Sequence, residues 1–359
     1  MFPSIRVNGY RGLEGLQLDC LTPINLLVGK NNSGKSSLLE CLWILANGGQ
    51  PGALLQVLRQ RGEFSESLQR RPEGVPAGRI SYQVRHLFRH HRLDTDAKLT
   101  IEAPGASLEI GFERGQESME LRLFPFEEAE EEGYSGYLRI RTGGAEFTVP
   151  LQRDGSLDPR SRRVYSWGVP VDNVRYITTG ELDYNEIAGL WDSITLTPRE
   201  DQVLHALQIL EPDLERLSFT ARQRSSSGIL IKLKGHPDPV PLGSTGDGVR
   251  RVLGLVASAV TTGHGVLLVD EIDTGLHYST LVDLWLVLMR VCREVNTQIF
   301  ATTHSLDCLR ALDAALRRER NGARMAQVIR LTRGDHTTQP TIYPPEEVAV
   351  AMAQEIEVR

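Results

Sequence analysis

The sequence predicts an α/β fold, a mostly parallel sheet flanked by helices, joined to an antiparallel β region. Three observations predict it. The apolar run Ile24–Val28 passes through a glycine-rich turn directly into a helical pattern. From residue 265 onward, short apolar runs at 265–270, 297–302 and 326–331 alternate with helical segments at 280–293 and 305–320, the order expected of a parallel sheet covered by helices. Between 98 and 151 the pattern switches to strict alternation, as in antiparallel strands with one buried face.

Taken in order, the opening residues 5–13 read as a first strand and turn. Residues 29–36 then read G-K-N-N-S-G-K-S. Glycines at both ends let the backbone curl so that successive N–H groups point at a phosphate chain. Gly29, Asn31, Asn32, Ser33, Gly34 and Ser37 belong to that cradle. Lys35 is placed to reach the terminal phosphates and the Ser36 hydroxyl to hold Mg²⁺. The helix that follows adds the positive end of its dipole. Leu38, Leu39, Leu42 and Leu45 carry its buried face, and Gly48, Gly49 and Pro51 end it. Only five lysines stand against 35 arginines, so the lysine in the turn is a choice of a compact ammonium over a planar fork.

Residues 54–92 are arginine-rich and read as helical, with His86, His90 and His91 on one face. Strands are expected at 98–102, 107–112, 119–124, 137–141 and 146–151, with an acidic run at 127–132 as a solvated hairpin tip and a surface connection at 159–163. A strand at 173–177 leads to helices at 181–191 and 198–210, then to short strands at 217–222 and 228–233. The chain thus divides into intervals 1–170, 171–235 and 236–359, expected to form one head overall.

Asp270 and Glu271 end the apolar strand 265–269. After a phosphate loop, the first carboxylate suits the Mg²⁺ shell and the second suits a base for the attacking water. His304 stands just beyond the strand 297–302, where open α/β sheets place ligand groups, and reads as a sensor of the terminal phosphate. Residues 242–248 form a small glycine-rich turn opening a helix at 249–260, a second anion site. Asp94 and Asp96 form a lone D-x-D with no supporting acidic context, and the three histidines lack a carboxylate or cysteine partner at metal-binding spacing.

The net charge of −6 gives no global attraction to nucleic acid, so any such contact must be local. No apolar run approaches membrane-spanning length, and the start is not a secretory signal. Cys20, Cys41, Cys292 and Cys308 form no C-x-x-C. Free thiols in a reducing cytoplasm are therefore expected.

The four pieces, in this order, resemble ABC-type ATPases. The closest likeness is to standalone ATPases of the OLD-like (overcoming lysogenization defect) branch, carried by residues 29–40, 244–248, 270–279 and 301–305. The resemblance implies ATP and Mg²⁺, with Ser36 and Asp270 as metal ligands, Glu271 as base and His304 as switch. It implies a homodimer or higher homo-oligomer, with Ser244 and Gly246 contacting the neighbour's nucleotide and Asp273 in a loop crossing the dimer. Residues after His304 leave no room for the Toprim nuclease of OLD proteins. That points to a separately encoded effector or nuclease, as in the PARIS and Septu antiphage systems. The alternatives are a RecF-like DNA-repair ATPase, with DNA as partner, and a transporter subunit. Ser244-Thr245-Gly246-Asp247 departs from the S-G-G-Q/E of transporters, and no glutamine occupies 178–181, the expected Q-loop.

Overall fold

The computed structural model describes residues 1–70, 76–114, 134–157, 173–180, 182–220, 228–245, 247–319, 322–334 and 337–353. The chain opens with β1 (Ile5–Asn8) and β2 (Leu16–Leu18), paired antiparallel with alternate residues buried. Gly9 turns the chain at φ +74, and a Cβ there would lie 2.2 Å from the carbonyl oxygen of Lys98, so only glycine fits. β3 (Ile24–Val28) is buried throughout. It feeds α1 (Lys35–Ala46), which stops at Gly48 and Gly49, both left-handed. α2 (Pro51–Gln60) starts with proline at its first position, where the missing N–H costs nothing.

The helix expected over 54–92 ends at Gln60 instead. Gly62 adopts φ +68, and the N–H of Glu63 returns to the carbonyl of Leu58 at 2.9 Å, the geometry that closes a helix. Beyond it, β4 (Phe64–Arg70) and β5 (Pro76–Gln83) form an antiparallel pair. The physical reason is residue type, because Ser65, Ser67, Pro76, Gly78 and Ser81 favour helix poorly, and Phe64 finds Tyr82 as its partner across the two strands. The Phe64 and Tyr82 rings meet at 5.9 Å between centroids. Two 3₁₀ turns follow at Val84–Leu87 and Arg89–His91, with His90 and His91 at φ +59 and +56. The three histidines therefore share no helix face. His86 Nδ1 and His91 Nδ1 lie 3.2 Å apart, but among the described residues no group of three His, Cys, Asp or Glu could hold a metal.

The antiparallel meander is found as β6 (Lys98–Ala103), β7 (Ala106–Arg114), β8 (Tyr134–Thr142) and β9 (Ala145–Gln152). The strand expected at 119–124, the acidic run at 127–132 and the connection at 159–163 lie outside the described residues. β10 (Ser156–Leu157) pairs with β5, and β11 (Val174–Ile177) follows. α3 (Tyr184–Ile194) starts three residues later than expected because Asp183 caps it. Asp183 Oδ1 accepts from the N–H of Glu186 at 2.8 Å, while the Glu186 carboxylate accepts from the N–H of Asp183 at 2.8 Å, a reciprocal capping box. α4 (Pro198–Leu207) precedes a small sheet of β12 (Leu214–Phe219), β13 (Ile229–Leu233) and β14 (Val240–Pro241). Then come α5 (Asp247–Thr262), β15 (Val266–Val269), α6 (Leu281–Val295), β16 (Gln298–Thr302), α7 (Leu306–Arg318), β17 (Ala326–Arg333), β18 (Thr338–Tyr343) and α8 (Pro345–Ala353).

The central sheet runs β11-β15-β16-β3-β17-β18, the first five parallel and β18 antiparallel. Its inner strands β3, β15 and β16 are buried on both faces, which is why they read as largely apolar runs. Leu267, Val269, Ile299 and Ala301 pack toward the helices α3 to α7, whereas Val266, Leu268 and Phe300 pack toward α1 and the antiparallel sheet. That second sheet, in the order β2-β1-β6-β7-β8-β9, lies against α1. A side chain at Gly49 would reach 2.4 Å from Leu108 Cδ1, a measure of how closely the two approach.

One buried ionic network ties the first turn to α1 and α2. Glu40 on α1 accepts from the Tyr10 hydroxyl at 2.8 Å, Arg11 Nε at 3.0 Å and Arg61 Nε at 2.6 Å. Arg11 spans onward to both carboxylate oxygens of Glu63 at 2.5 and 2.8 Å. Removing one partner of a buried charged pair strands the other. Glu40→Ala is therefore expected to cost about 3 kcal/mol in urea unfolding. Arg61→Ala, at the exposed rim, is expected to cost less than about 1 kcal/mol.

Candidate nucleotide site

Five parallel strands deliver their C-terminal ends to one edge of the central sheet, the place where open α/β sheets bind ligands. The turn after β3 carries φ +139 at Gly29, +62 at Asn32 and +100 at Gly34. A Cβ at Gly29 would sit 2.4 Å from the Leu331 carbonyl oxygen, and one at Gly34 would sit 2.7 Å from Leu13 Cδ2. The turn is therefore wedged between β17 and the first loop, and a larger residue would close it. Asn31 and Asn32 are exposed on its rim, while the buried Ser33 hydroxyl has no partner among the described residues. Lys35 is buried, and its ammonium donates to the carbonyls of Gly29 at 2.8 Å and Lys30 at 3.2 Å. Burial pulls Lys35 below the usual lysine range, while the charges of Glu271 and Asp270 push it back up.

The carboxylates stand opposite, at the end of β15. Asp270 Oδ1 accepts from Ser36 Oγ at 3.1 Å and from Thr302 Oγ1 at 2.5 Å. Glu271, with φ +51, occupies a backbone region that non-glycine residues rarely adopt. Its N–H donates to Thr302 Oγ1 at 2.8 Å. The His304 Nε2 lies 3.5 Å from Glu271 Oε1. Asp273 Oδ1 accepts from Thr303 Oγ1 at 2.6 Å, and Thr303 Oγ1 accepts from the N–H of Ser305 at 2.9 Å.

Lys35, Ser36, Asp270, Glu271 and His304 thus gather from three strand ends, together with the cradle residues. Beside the turn lies a cleft of about 480 Å³, lined among others by Arg11, Ser33, Ser37, Glu63, His91 and Arg333, within the size range of small-molecule sites. Ser244 stands apart. It is exposed in a 3₁₀ turn before α5. Gly246 lies outside the described residues. The start of α5 abuts the segment after Asp273, since a Cβ at Gly248 would lie 3.4 Å from Leu276 Cδ2. Residues 178–180 directly follow β11, whose Ile177 carbonyl accepts from the N–H of Asp270 at 2.8 Å. Glu181 lies outside the described residues.

Sequence reasoning passed over Thr302, Thr303 and Arg11 as contributors. The two threonines stood inside a motif already singled out, and their placement at a strand end was the available signal.

The residues fit a nucleotide and its divalent ion. The orphaned Ser33 hydroxyl, the glycine cradle and a buried ammonium held only by carbonyls suit phosphate oxygens. Ser36 and Asp270 offer oxygen ligands, and a pair of this kind suits Mg²⁺, which takes its remaining ligands from phosphates and water.

Lys35 carries a pH dependence. Its value is depressed in the folded chain, so its charge is lost as pH rises through a value below the usual lysine range. Affinity for inorganic triphosphate is expected to fall over that alkaline window. Lys35→Ala is expected to remove the pH dependence and to weaken binding at neutral pH by about 10²-fold or more. Isothermal titration across pH measures both.

Relatives share much of this chain. An "ATP/GTP phosphatase" from Helicobacter pylori is 23% identical over 366 residues, covering 97% of each chain. The DNA replication and repair protein RecF of an Exiguobacterium species is 46% identical over 43 residues, 12% of each chain. Among solved structures, an Smc head bound to the C-terminal winged-helix domain of ScpA aligns over 97% of this chain and 99% of its own, at 12% identity and a TM-score of 0.49. The SMC head domain from Thermotoga maritima aligns over 96% and 98%, at 13% identity and a TM-score of 0.45. Among the described residues no helix is long and apolar enough to cross a membrane. The family described as "AAA domain, putative AbiEii toxin, Type IV TA system" matches residues 24–309, which hold the glycine-rich turn, both carboxylates and His304; the chain belongs to that family and is an ATPase of the ABC/AAA type.

Proposed function

We propose that this ATPase is a molecular switch of the OLD-like branch. Two copies close head to tail around ATP, and a separately encoded effector, a nuclease, reads the closed state in defence against phage. The observation that carries this reading is the pairing of Glu271 with His304 at 3.5 Å, facing Lys35 and the Ser36–Asp270 pair. The exposure of Ser244 supports a role on the neighbour's nucleotide. The family's description, which names a toxin, supports a defence setting. The short match to RecF favours a second reading, a DNA-repair ATPase acting on DNA.

In the proposed reaction Lys35 and the turn's N–H groups hold the phosphates and offset their charge. Ser36 and Asp270 would hold Mg²⁺, which when bound supplies Lewis-acid polarisation of the phosphoryl oxygens. The Glu271 carboxylate orients the attacking water and accepts its proton. His304 beside it steadies that carboxylate and faces the terminal phosphate. Asp273, tied to Thr303, sits in the loop that would meet the second copy.

Glu271→Gln is expected to retain ATP binding and to slow hydrolysis by ~10²–10⁴-fold, with a larger ATP-bound species in light scattering. Normal turnover in this variant would move the base elsewhere, with Asp273 next. Ser244→Arg is expected to bind ATP yet fail to hydrolyse it. Mixed with Lys35→Ala, it should regain partial activity, because a mixed pair restores one site with both halves intact. Wild-type turnover by Ser244→Arg alone overturns the head-to-tail arrangement.

A further inference from the structure

The mechanism leaves unexplained how Asp270 and Glu271, adjacent in sequence, are kept in two different jobs. A carboxylate for the metal and one for the water must point to different places from neighbouring backbone positions. In a regular strand they would do so by alternation alone. Here the strand ends at Val269 and the backbone of Glu271 is left-handed, so alternation no longer sets its direction.

Thr302 supplies what the strand does not. It is fully buried at the last position of β16. Its hydroxyl hydrogen is given to Asp270 Oδ1 at 2.5 Å. Its oxygen lone pair receives the N–H of Glu271 at 2.8 Å. Its own carbonyl receives the N–H of Ile272 at 3.0 Å. One residue therefore fixes a carboxylate oxygen and two successive backbone amides of the loop 270–272.

The consequences are specific. With one Asp270 oxygen committed to Thr302 and Ser36, the carboxylate cannot rotate freely about its last torsion. The Glu271 amide, anchored in the left-handed region, aims that side chain toward His304. Such a conformation is strained for a non-glycine residue and persists because surrounding bonds over-determine it. A valine has the same shape without the hydroxyl. It would leave Asp270 Oδ1 with Ser36 as its remaining hydroxyl donor and the Glu271 N–H without this partner.

We propose that Thr302 is the positioning residue of the hydrolytic site, setting the metal-binding carboxylate and the base together through one hydroxyl. The inference rests on the reading of Asp270 and Glu271 given under Proposed function. Thr303, bonded to Asp273, does not share this task, because it reaches neither carboxylate of the pair.

The test compares Thr302→Val with Thr302→Ser, which keeps the hydroxyl. Thr302→Val is expected to lower kcat by about 10²-fold and to raise the Mg²⁺ concentration needed for half-maximal turnover, with affinity for metal-free ATP unchanged within about twofold. Thr302→Ser is expected to recover kcat to within about threefold of wild type. A second readout needs neither nucleotide nor metal. Hydrogen–deuterium exchange in the peptide carrying Glu271 should accelerate in Thr302→Val, return toward wild type in Thr302→Ser, and remain unchanged in the peptide carrying Lys35. Unaltered exchange at Glu271 in Thr302→Val, or wild-type kcat in that variant, overturns the proposal. Equal loss in the serine variant also overturns it, since that would mark a packing role. If Thr302→Val does not fold, Thr302→Ala against Thr302→Ser gives the same comparison. Wild-type protein without ATP turnover would instead defeat the underlying reading, and the exchange experiment would still decide the tie between Thr302 and the loop.

Discussion

Asp270 Oδ1, accepting hydroxyl hydrogen bonds from Ser36 at 3.1 Å and Thr302 at 2.5 Å, is the junction on which the rest of the site depends. It joins three chain segments that come from α1, β15 and β16. A carboxylate at the end of a strand buried on both faces is costly unless its lone pairs are met. Meeting them from two directions fixes the relative height of the glycine-rich turn and the carboxylate loop. Lys35, on the same face and drawn down by burial, gains charge stabilisation from Asp270 and Glu271 in turn. The site is thus an arrangement of charges that support one another before any ligand arrives.

That arrangement needs a rigid frame, and the two cores provide it. The central sheet divides them residue by residue, with Leu267 and Val269 on one side and Val266 and Leu268 on the other. A slip of one position in β15 would exchange these faces and move Asp270 off the edge. The glycine-rich turn is held as firmly from the opposite side. Leu13 lies under Gly34 and the Leu331 carbonyl under Gly29, so the first loop and β17 together form the walls of the cradle. Glu40 extends the same control to the far side of α1 by binding Tyr10, Arg11 and Arg61. The loop that leads from β1 toward the cleft is therefore coupled to the phosphate-binding helix through a buried ionic network.

The cleft beside the turn shows the same division between catalytic edge and flanking surface. Its floor is the turn itself, while Arg11, Glu63 and His91 come from segments that lie far from one another in sequence. His90 and His91 hold left-handed backbone angles at its rim, a local strain of the kind that collects near ligand sites.

The sequence by itself determined the elements whose signals are local. Ile24–Val28, the turn 29–36 and the helix after it could be read because each constraint lies within a dozen residues. A fully buried strand, glycines at the two ends of the turn and an apolar stripe at helical spacing sufficed. The acidic end of β15 and His304 after β16 were legible for the same reason, and so was the antiparallel alternation of 98–114 and 137–151. The hairpin at 64–83 was not. Its apolar residues are sparse, its arginines fit any exposed surface, and its strand character comes from pairing with a partner strand rather than from propensity. Tertiary structure alone decided that Arg11 would bind Glu63 across 52 residues and that Glu40 would be buried among three donors. It alone made Thr302 the shared partner of Asp270 and Glu271. Hydrogen bonds between distant segments leave no periodic trace in a sequence, because they depend on where strand ends meet in space and not on the spacing of residues along the chain.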